Sequence, residues 1–279
     1  MTVTIIGIGL IGGSMALALK QKGFASKIIG VEHNEEHKKT ALQLKLVDEI
    51  KELDDAIANS DFIIIAVPVS AAEKMIGRIL DKVDKQVVID VGSTKYSICR
   101  EASKSENRGR FVATHPMWGT EFSGPQAAVS NAFIEKAVVI CNKEDSDVDA
   151  VLLTEKLYRL LGMHLLYMDA AACDLHAAYV SHIAHITSFA LANTVLEKER
   201  EEDAIFEMAS AGFESTVRLA KSNPAMWVPI FMQNRENVLD VLNEHISQLR
   251  KFKSCLEKEN YEYLTELIEN ANKIKRILK

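Results

Sequence analysis

Apolar positions follow two regimes along this chain. Up to about residue 168 they come as short unbroken runs, separated by polar stretches with helical spacing. The runs at 1–6, 27–31, 61–67, 86–90, 136–141 and 163–167 read as strands, with weaker ones at 47–50 and 111–113. Between them, 15–22, 34–44, 54–59, 71–81 and 148–161 read as helices. The run from Phe62 to Val67 has no polar alternation, as expected of a strand buried on both faces of a parallel sheet. From 169 onward strand patterns stop, and 169–198, 203–221, 224–252 and 257–278 carry the 3.6-residue period with broad apolar faces. The pattern therefore predicts an α/β domain over 1–168, a doubly wound sheet, followed by an all-α domain over 169–279. So much apolar helical surface in the second domain predicts a homodimer.

The junction of the first strand and helix is Gly7-Ile8-Gly9-Leu10-Ile11-Gly12-Gly13-Ser14. This is G-x-G-x-x-G in the strand–turn–helix setting that gives the pattern meaning, so the sheet is of Rossmann type. Gly7 permits the tight turn. Gly9 leaves room for a pyrophosphate beside Leu10 and Ile11, and Gly12 lets helix and strand approach. The helix start aims unpaired N–H groups at the phosphates. The second strand ends before Glu32, roughly 20 residues past the last glycine of the motif, where a carboxylate accepts from an adenosine ribose. Ligands of such sheets sit beyond the carboxyl ends of the strands, which adds Val67, Pro68, Gly92 and Ser93 to the cofactor crevice.

Composition narrows the class. The 279 residues are 48% hydrophobic and 26% charged, with a net charge of −6. That is an ordinary soluble globular make-up with no basic face for nucleic acid. Cys99, Cys141, Cys173 and Cys255 lie far apart in sequence, which argues against a zinc site and a disulfide framework and fits a reducing cytoplasm. No apolar stretch is long enough to span a bilayer.

The loop Thr114-His115-Pro116-Met117-Trp118-Gly119-Thr120-Glu121 follows a strand end on the cofactor side. An imidazole there can take the proton of an alcohol as its carbon loses hydride. The plainer alternative is a histidine that orders its own turn. Ser93 either caps the next helix or hydrogen-bonds substrate or His115. Lys95 is either an anion contact or solvated. Ser181-His182-Ile183-Ala184-His185 puts two histidines at i, i+3. No third ligand is evident nearby, so substrate contact or a satisfied interior histidine is favoured over metal. Arg218, among apolar neighbours, offers a two-pronged donor for a carboxylate or a structural ion pair. Trp227 is most simply core or dimer packing.

In order along nearly the whole chain, these fragments resemble the prephenate/arogenate dehydrogenase family of tyrosine biosynthesis. The resemblance rests on the glycine motif, Asp90-Val91-Gly92-Ser93-x-Lys95, His115-Pro116-Met117-x-Gly119-Thr120-Glu121, Ser181-His182-x-x-His185, and Gly212-Phe213 through Arg218 to Pro224-x-Met226-Trp227. It implies NAD-dependent oxidative decarboxylation of prephenate, with arogenate as the alternative substrate. His115 would accept the proton of the ring 4-hydroxyl, and Ser93 would help orient that hydroxyl. Arg218 would pair with a substrate carboxylate, with His185, Ser181 and Thr120 around the substrate and Trp227 reaching it from the partner subunit. Glu32 would favour NAD, since its charge repels a 2′-phosphate. Ser215 and Val217 stand where the family often has Asp and Thr, so an ionic gate through position 215 is not expected.

Two other readings compete. A different two-domain NAD(P)-dependent dehydrogenase would lean on a lysine in the helical domain or do without the histidine loop. A non-catalytic nucleotide sensor would bind NAD without turnover.

Overall fold

The computed structural model describes residues 1–199 and 205–277. Eight strands alternate with helices: β1 (Thr2–Ile6), α1 (Leu10–Gln21), β2 (Lys27–Val31), α2 (Glu35–Gln43), β3 (Glu49–Ile50), α3 (Leu53–Ala58), β4 (Phe62–Ile65), α4 (Val69–Leu80), β5 (Val87–Asp90), α5 (Tyr96–Ala102), β6 (Phe111–Pro116), β7 (Ala137–Cys141), α6 (Val148–Leu160) and β8 (His164–Met168). All eight strand runs seen in the sequence are strands. They form one sheet in the order β3-β2-β1-β4-β5-β6-β7-β8.

Neighbouring strands are parallel except β6 and β7. The exception has a simple cause. Residues 117–136 carry no crossover helix, only a short 3₁₀ turn at Pro125–Ala127, and without a crossover the chain returns antiparallel.

Both sheet faces are covered, as the unbroken apolar runs require. Ile5, Phe62, Ile64 and Ile89 pack with Met15 and Leu19 of α1 on one face. Ile63, Ile65 and Val88 pack with Ile76 and Ile79 of α4 and Ile98 of α5 on the other. Fully buried side chains of this kind contribute about 1.5–3 kcal/mol each.

Helix ends differ from the sequence expectation in instructive places. The first helix begins at Leu10, five residues before the expected start, so Gly12 and Gly13 lie inside it. Asn34 caps α2 by accepting from the backbone N–H groups of Glu36 and His37.

After β8 come α7 (Ala170–Ala177), a π turn (Ala178–His182), α8 (Ile183–Glu199), α9 (Ala211–Val217), a 3₁₀ turn (Arg218–Lys221) and α10 (Pro224–Gln233). The helix expected over 203–221 is thus in pieces, and its first two residues lie outside the described ones. The helix expected over 224–252 breaks at Asn234, whose buried amide donates to the Asp174 carbonyl at 2.7 Å. That anchor is tertiary and leaves no mark on the period. Beyond it lie α11 (Arg235–Glu257) and α12 (Tyr261–Asn272). Leu278, the expected end of the last helix, is outside the described residues.

The chain forms two compact units, Met1–Asn234 and Arg235–Lys279. The architecture changes from sheet to helix where the sequence put a boundary, at 168/169, but compact packing with the sheet continues to Asn234. Among the described residues, no helix is long and apolar enough to cross a membrane.

Candidate active site

The three motif glycines do three different things. Gly7 leaves β1 at φ +89°, and a Cβ there would stand 2.6 Å from the Ala66 carbonyl oxygen. A Cβ on Gly12 would stand 2.0 Å from the Gly7 carbonyl oxygen, so helix and turn touch backbone to backbone. A Cβ on Gly9 would meet no atom within 4 Å. Gly9 instead borders a cavity of about 480 Å³, which Leu10, Ile11, Val67, Pro68 and Gly92 also line.

No side chain caps α1 at Gly9, so the N–H groups of its first turn are left open toward an anion. Glu32 stands at the end of β2, its carboxylate nearly buried. Oε2 accepts from Ile8 N at 3.0 Å, and Oε1 from His33 N and Asn34 N at 2.9 and 3.0 Å. This open cradle beside a fixed acid fits a dinucleotide. Gly7, Gly12 and Glu32 shape it without lining the cavity.

The far wall of the cavity is set by β6. That strand runs three residues longer than expected, through Pro116, because β7 pairs with it: His115 lies opposite Val139. The peptide before His115 is clamped. Thr114 N donates to Asp90 Oδ1 at 3.3 Å, and the Thr114 hydroxyl donates to the Asp90 carbonyl at 2.5 Å. Lys95 Nζ donates to the Thr114 carbonyl at 2.9 Å and to the Asp90 carboxylate.

Lys95 is fully buried, which replaces both sequence readings of it, anion contact and solvated side chain. Burial pulls its pKa down, but the Asp90 charge and hydrogen bond more than offset that, and the ammonium is held above its usual range. Ser93 lines the cavity and does not cap α5. That role falls to Asp174 of α7, whose carboxylate accepts from Lys95 N and Tyr96 N at 2.6 and 3.0 Å. His115 makes its hydrogen bond not with Ser93 but through Nδ1 to Cys173 Sγ, at 3.7 Å.

The helical wall separates the two histidines of the 181–185 segment. Ser181 and His185 line the cavity. His185 Nδ1–H donates to the Ser181 carbonyl at 3.0 Å, and its ring stacks on Trp227 with centroids 3.4 Å apart and planes at 27°. Burial lowers the His185 pKa.

His182 does not reach the cavity. It is fully buried beside Trp227, and its Nε2 lacks a partner among the described residues, as does Trp227 Nε1. Burial first, then the nearby charges of His115 and His185, lower the His182 pKa to about 4. Among the described residues, no group of three or more His, Cys, Asp or Glu is placed to hold a metal. Trp227 lines the cavity of its own chain.

Arg218 and Thr120 complete the lining. The Thr120 hydroxyl accepts from Phe122 N at 3.3 Å. Arg218 is half exposed and paired with Glu121, Nη1 to Oε2 at 2.8 Å. Two residues of this site had no assigned role in the sequence. Glu121 carried a weak signal, an acid six residues past His115 in the same loop. Cys173 carried none, because only the packing of α7 on the sheet brings it to His115.

Two family models match this chain. The model described as "Prephenate dehydrogenase, nucleotide-binding domain" matches residues 15–167, and "Prephenate dehydrogenase, dimerization domain" matches 169–270. Prephenate dehydrogenase of Bacillus subtilis is 30% identical over 274 residues, which span 97% of this chain and 74% of that protein. Cyclohexadienyl dehydrogenase of Zymomonas mobilis is 28% identical over 280 residues, 99% of this chain and 96% of that one. The crystal structure of prephenate dehydrogenase from A. aeolicus, in complex with hydroxyphenyl propionate and NAD+, superposes with a TM-score of 0.89. The two are 30% identical, and the match covers 99% of this chain and 97% of that one.

Proposed function

Since the chain belongs to the prephenate dehydrogenase family of oxidoreductases, we propose that it oxidises and decarboxylates prephenate to 4-hydroxyphenylpyruvate with NAD, as a homodimer. One observation carries the reading. His115, Ser93, Ser181, His185 and Arg218 line the same cavity as Gly9, the glycine whose missing side chain leaves the dinucleotide cradle open.

NAD bound in that cradle would supply the hydride acceptor. The chain's own residues act on the substrate. Nε2 of His115 takes the proton of the ring 4-hydroxyl as the carbon is oxidised, and Ser93 orients that hydroxyl. Loss of carbon dioxide from the ring then aromatises it and drives the step forward. Arg218 holds a substrate carboxylate through guanidinium donors that Glu121 leaves free. His185, fixed by Ser181 and stacked on Trp227, and Thr120 bound the remaining space. The Glu32 carboxylate, fastened by three backbone N–H groups, disfavours a 2′-phosphate and so favours NAD.

Arogenate differs only in carrying an amino acid where prephenate has a keto acid. The deciding experiment is nicotinamide reduction followed at 340 nm, with each substrate paired with NAD and with NADP. Turnover with prephenate and NAD is expected to exceed the other three pairings. Preferential use of arogenate moves the assignment to arogenate dehydrogenase, and silence in all four with NAD still bound moves it to a sensor.

A further inference from the structure

The register of β6 on β7 puts Ala113 opposite Cys141 and His115 opposite Val139. Directly opposed residues share a sheet face, so Cys141 and His115 lie on the same side, two positions apart along the ladder. Helix α7 packs over that face and lowers Cys173 among Ala113, Val139 and Cys141. Cys173 is 2% exposed and His115 6%, so water does not compete for the ring nitrogen between them.

His115 Nδ1 stands 3.7 Å from the Cys173 sulfur, with Cys141 in the same buried cluster. Among the described residues, His115 has this one hydrogen bond. The imidazole ring has a second nitrogen, Nε2, and the residue borders the cavity.

We propose that Cys173 is a positioning residue for the reaction: its sulfur accepts the Nδ1–H of His115, which fixes the tautomer that keeps Nε2 free to take the substrate proton. This rests on the reading of His115 as the base. A neutral imidazole carries one N–H, and the group bonded to one nitrogen decides whether the other can accept. Carboxylates usually play this part in histidine-based catalysis. Here no carboxylate among the described residues bonds to the ring, and a sulfur takes the position.

The surroundings suit an electron-rich sulfur. The neighbouring Cys141 thiol lowers the Cys173 pKa, burial opposes it, and the hydrogen bond and charge of His115 and the Lys95 ammonium lower it further. When the 4-hydroxyl proton moves to Nε2, the positive charge on the ring forms against that sulfur. The proton already on Nδ1 stays where it is, so the step transfers one proton in all.

Histidine-selective ¹⁵N NMR of the full-length protein tests this directly, with the His115 signals identified by their loss in His115→Asn. At a pH where the ring is neutral, Nδ1 should carry the proton and Nε2 should show the shift of an unprotonated nitrogen. A neutral ring protonated at Nε2 overturns the proposal.

Steady-state kinetics give a second readout. Cys173→Ala should lower kcat by about tenfold or more, the scale seen when a partner that orients a functional histidine is removed. The KM for substrate should stay within about twofold, and Cys173→Ser, which keeps an acceptor, should recover part of the loss. Unchanged kcat in folded Cys173→Ala, with His115→Asn inactive, overturns the proposal and leaves His115 as the base. An active His115→Asn removes the base reading itself. If Cys173→Ala fails to fold, the tautomer of the unaltered protein still decides.

Discussion

Arg218 Nη1 lies 2.8 Å from Glu121 Oε2, joining the loop after β6 to the turn after α9 at the cavity that both residues line. The guanidinium is half exposed, so solvent screens the pair and it contributes little to stability. Its own backbone N–H and then Arg218 hold the Glu121 carboxyl below its usual range, so it is an anion at neutral pH. The doubly negative substrate proposed above would therefore approach an arginine already shared with a carboxylate. Glu121→Gln should lower the KM for prephenate by roughly 2–5-fold, the effect of relieving one exposed charge pair, with little change in kcat. A raised KM shows that Glu121 chiefly holds Arg218 in position.

On the proposed reading, Arg218→Ala removes the substrate's ionic partner rather than its competitor. Because the site is half open to water, the loss should be about 1–2 kcal/mol, roughly 5- to 30-fold in KM. The effect should shrink as salt is added. Unchanged affinity assigns Arg218 to structure alone.

His115→Asn keeps the size and some polarity of the side chain but cannot accept a proton. It should reduce kcat by about 10²–10⁴-fold while the KM for substrate changes little. Near-wild-type turnover removes His115 from the chemistry.

Gly9→Ala and Gly12→Ala should separate binding from folding. The added methyl at Gly9 meets open space, so the melting temperature should hold while the Kd for NAD rises. At Gly12 it would stand 2.0 Å from a backbone carbonyl, so the variant should lose about 1–3 kcal/mol or more of stability before cofactor is added. Calorimetry with and without NAD reads both. Intact NAD affinity in Gly9→Ala shows that the phosphates bind elsewhere.

His182 sets a limit at the acid end. Its folded pKa of about 4 lies below the unfolded value of about 6.5, so between those pH values the unfolded chain binds the extra proton. Stability should rise with pH through that window and be lost as pH falls from 6.5 toward 4, by up to about 3 kcal/mol. Denaturant melts at several pH values should show this slope, flattened in His182→Phe. An equally steep slope in that variant places the titration elsewhere.

The eight strands, the glycine cradle and the cavity-lining candidates were legible because each is written locally. A run such as Phe62 to Ile65 must be buried on both faces, whatever its neighbours are. A glycine motif between strand and helix needs only a dozen consecutive residues to be recognised. Val67, Pro68, Gly92 and Ser93 all line the one cavity, since a parallel sheet puts all its strand ends on one side.

What the sequence left open is what depends on residues far apart. The return of β7 antiparallel lengthened β6 to include His115. Asp174 took over the capping of α5 from 79 and 78 residues away, and Lys95 turned inward to Asp90. Cys173 and His115 are 58 residues apart, and Glu121 and Arg218 are 97. Periodicity records which face of an element is apolar, because burial acts on each residue by itself. It does not record which polar atoms meet once the faces close. A buried hydrogen bond is a pairwise, directional interaction, and the partners are chosen only when the strand order and helix packing bring them within about 3 Å.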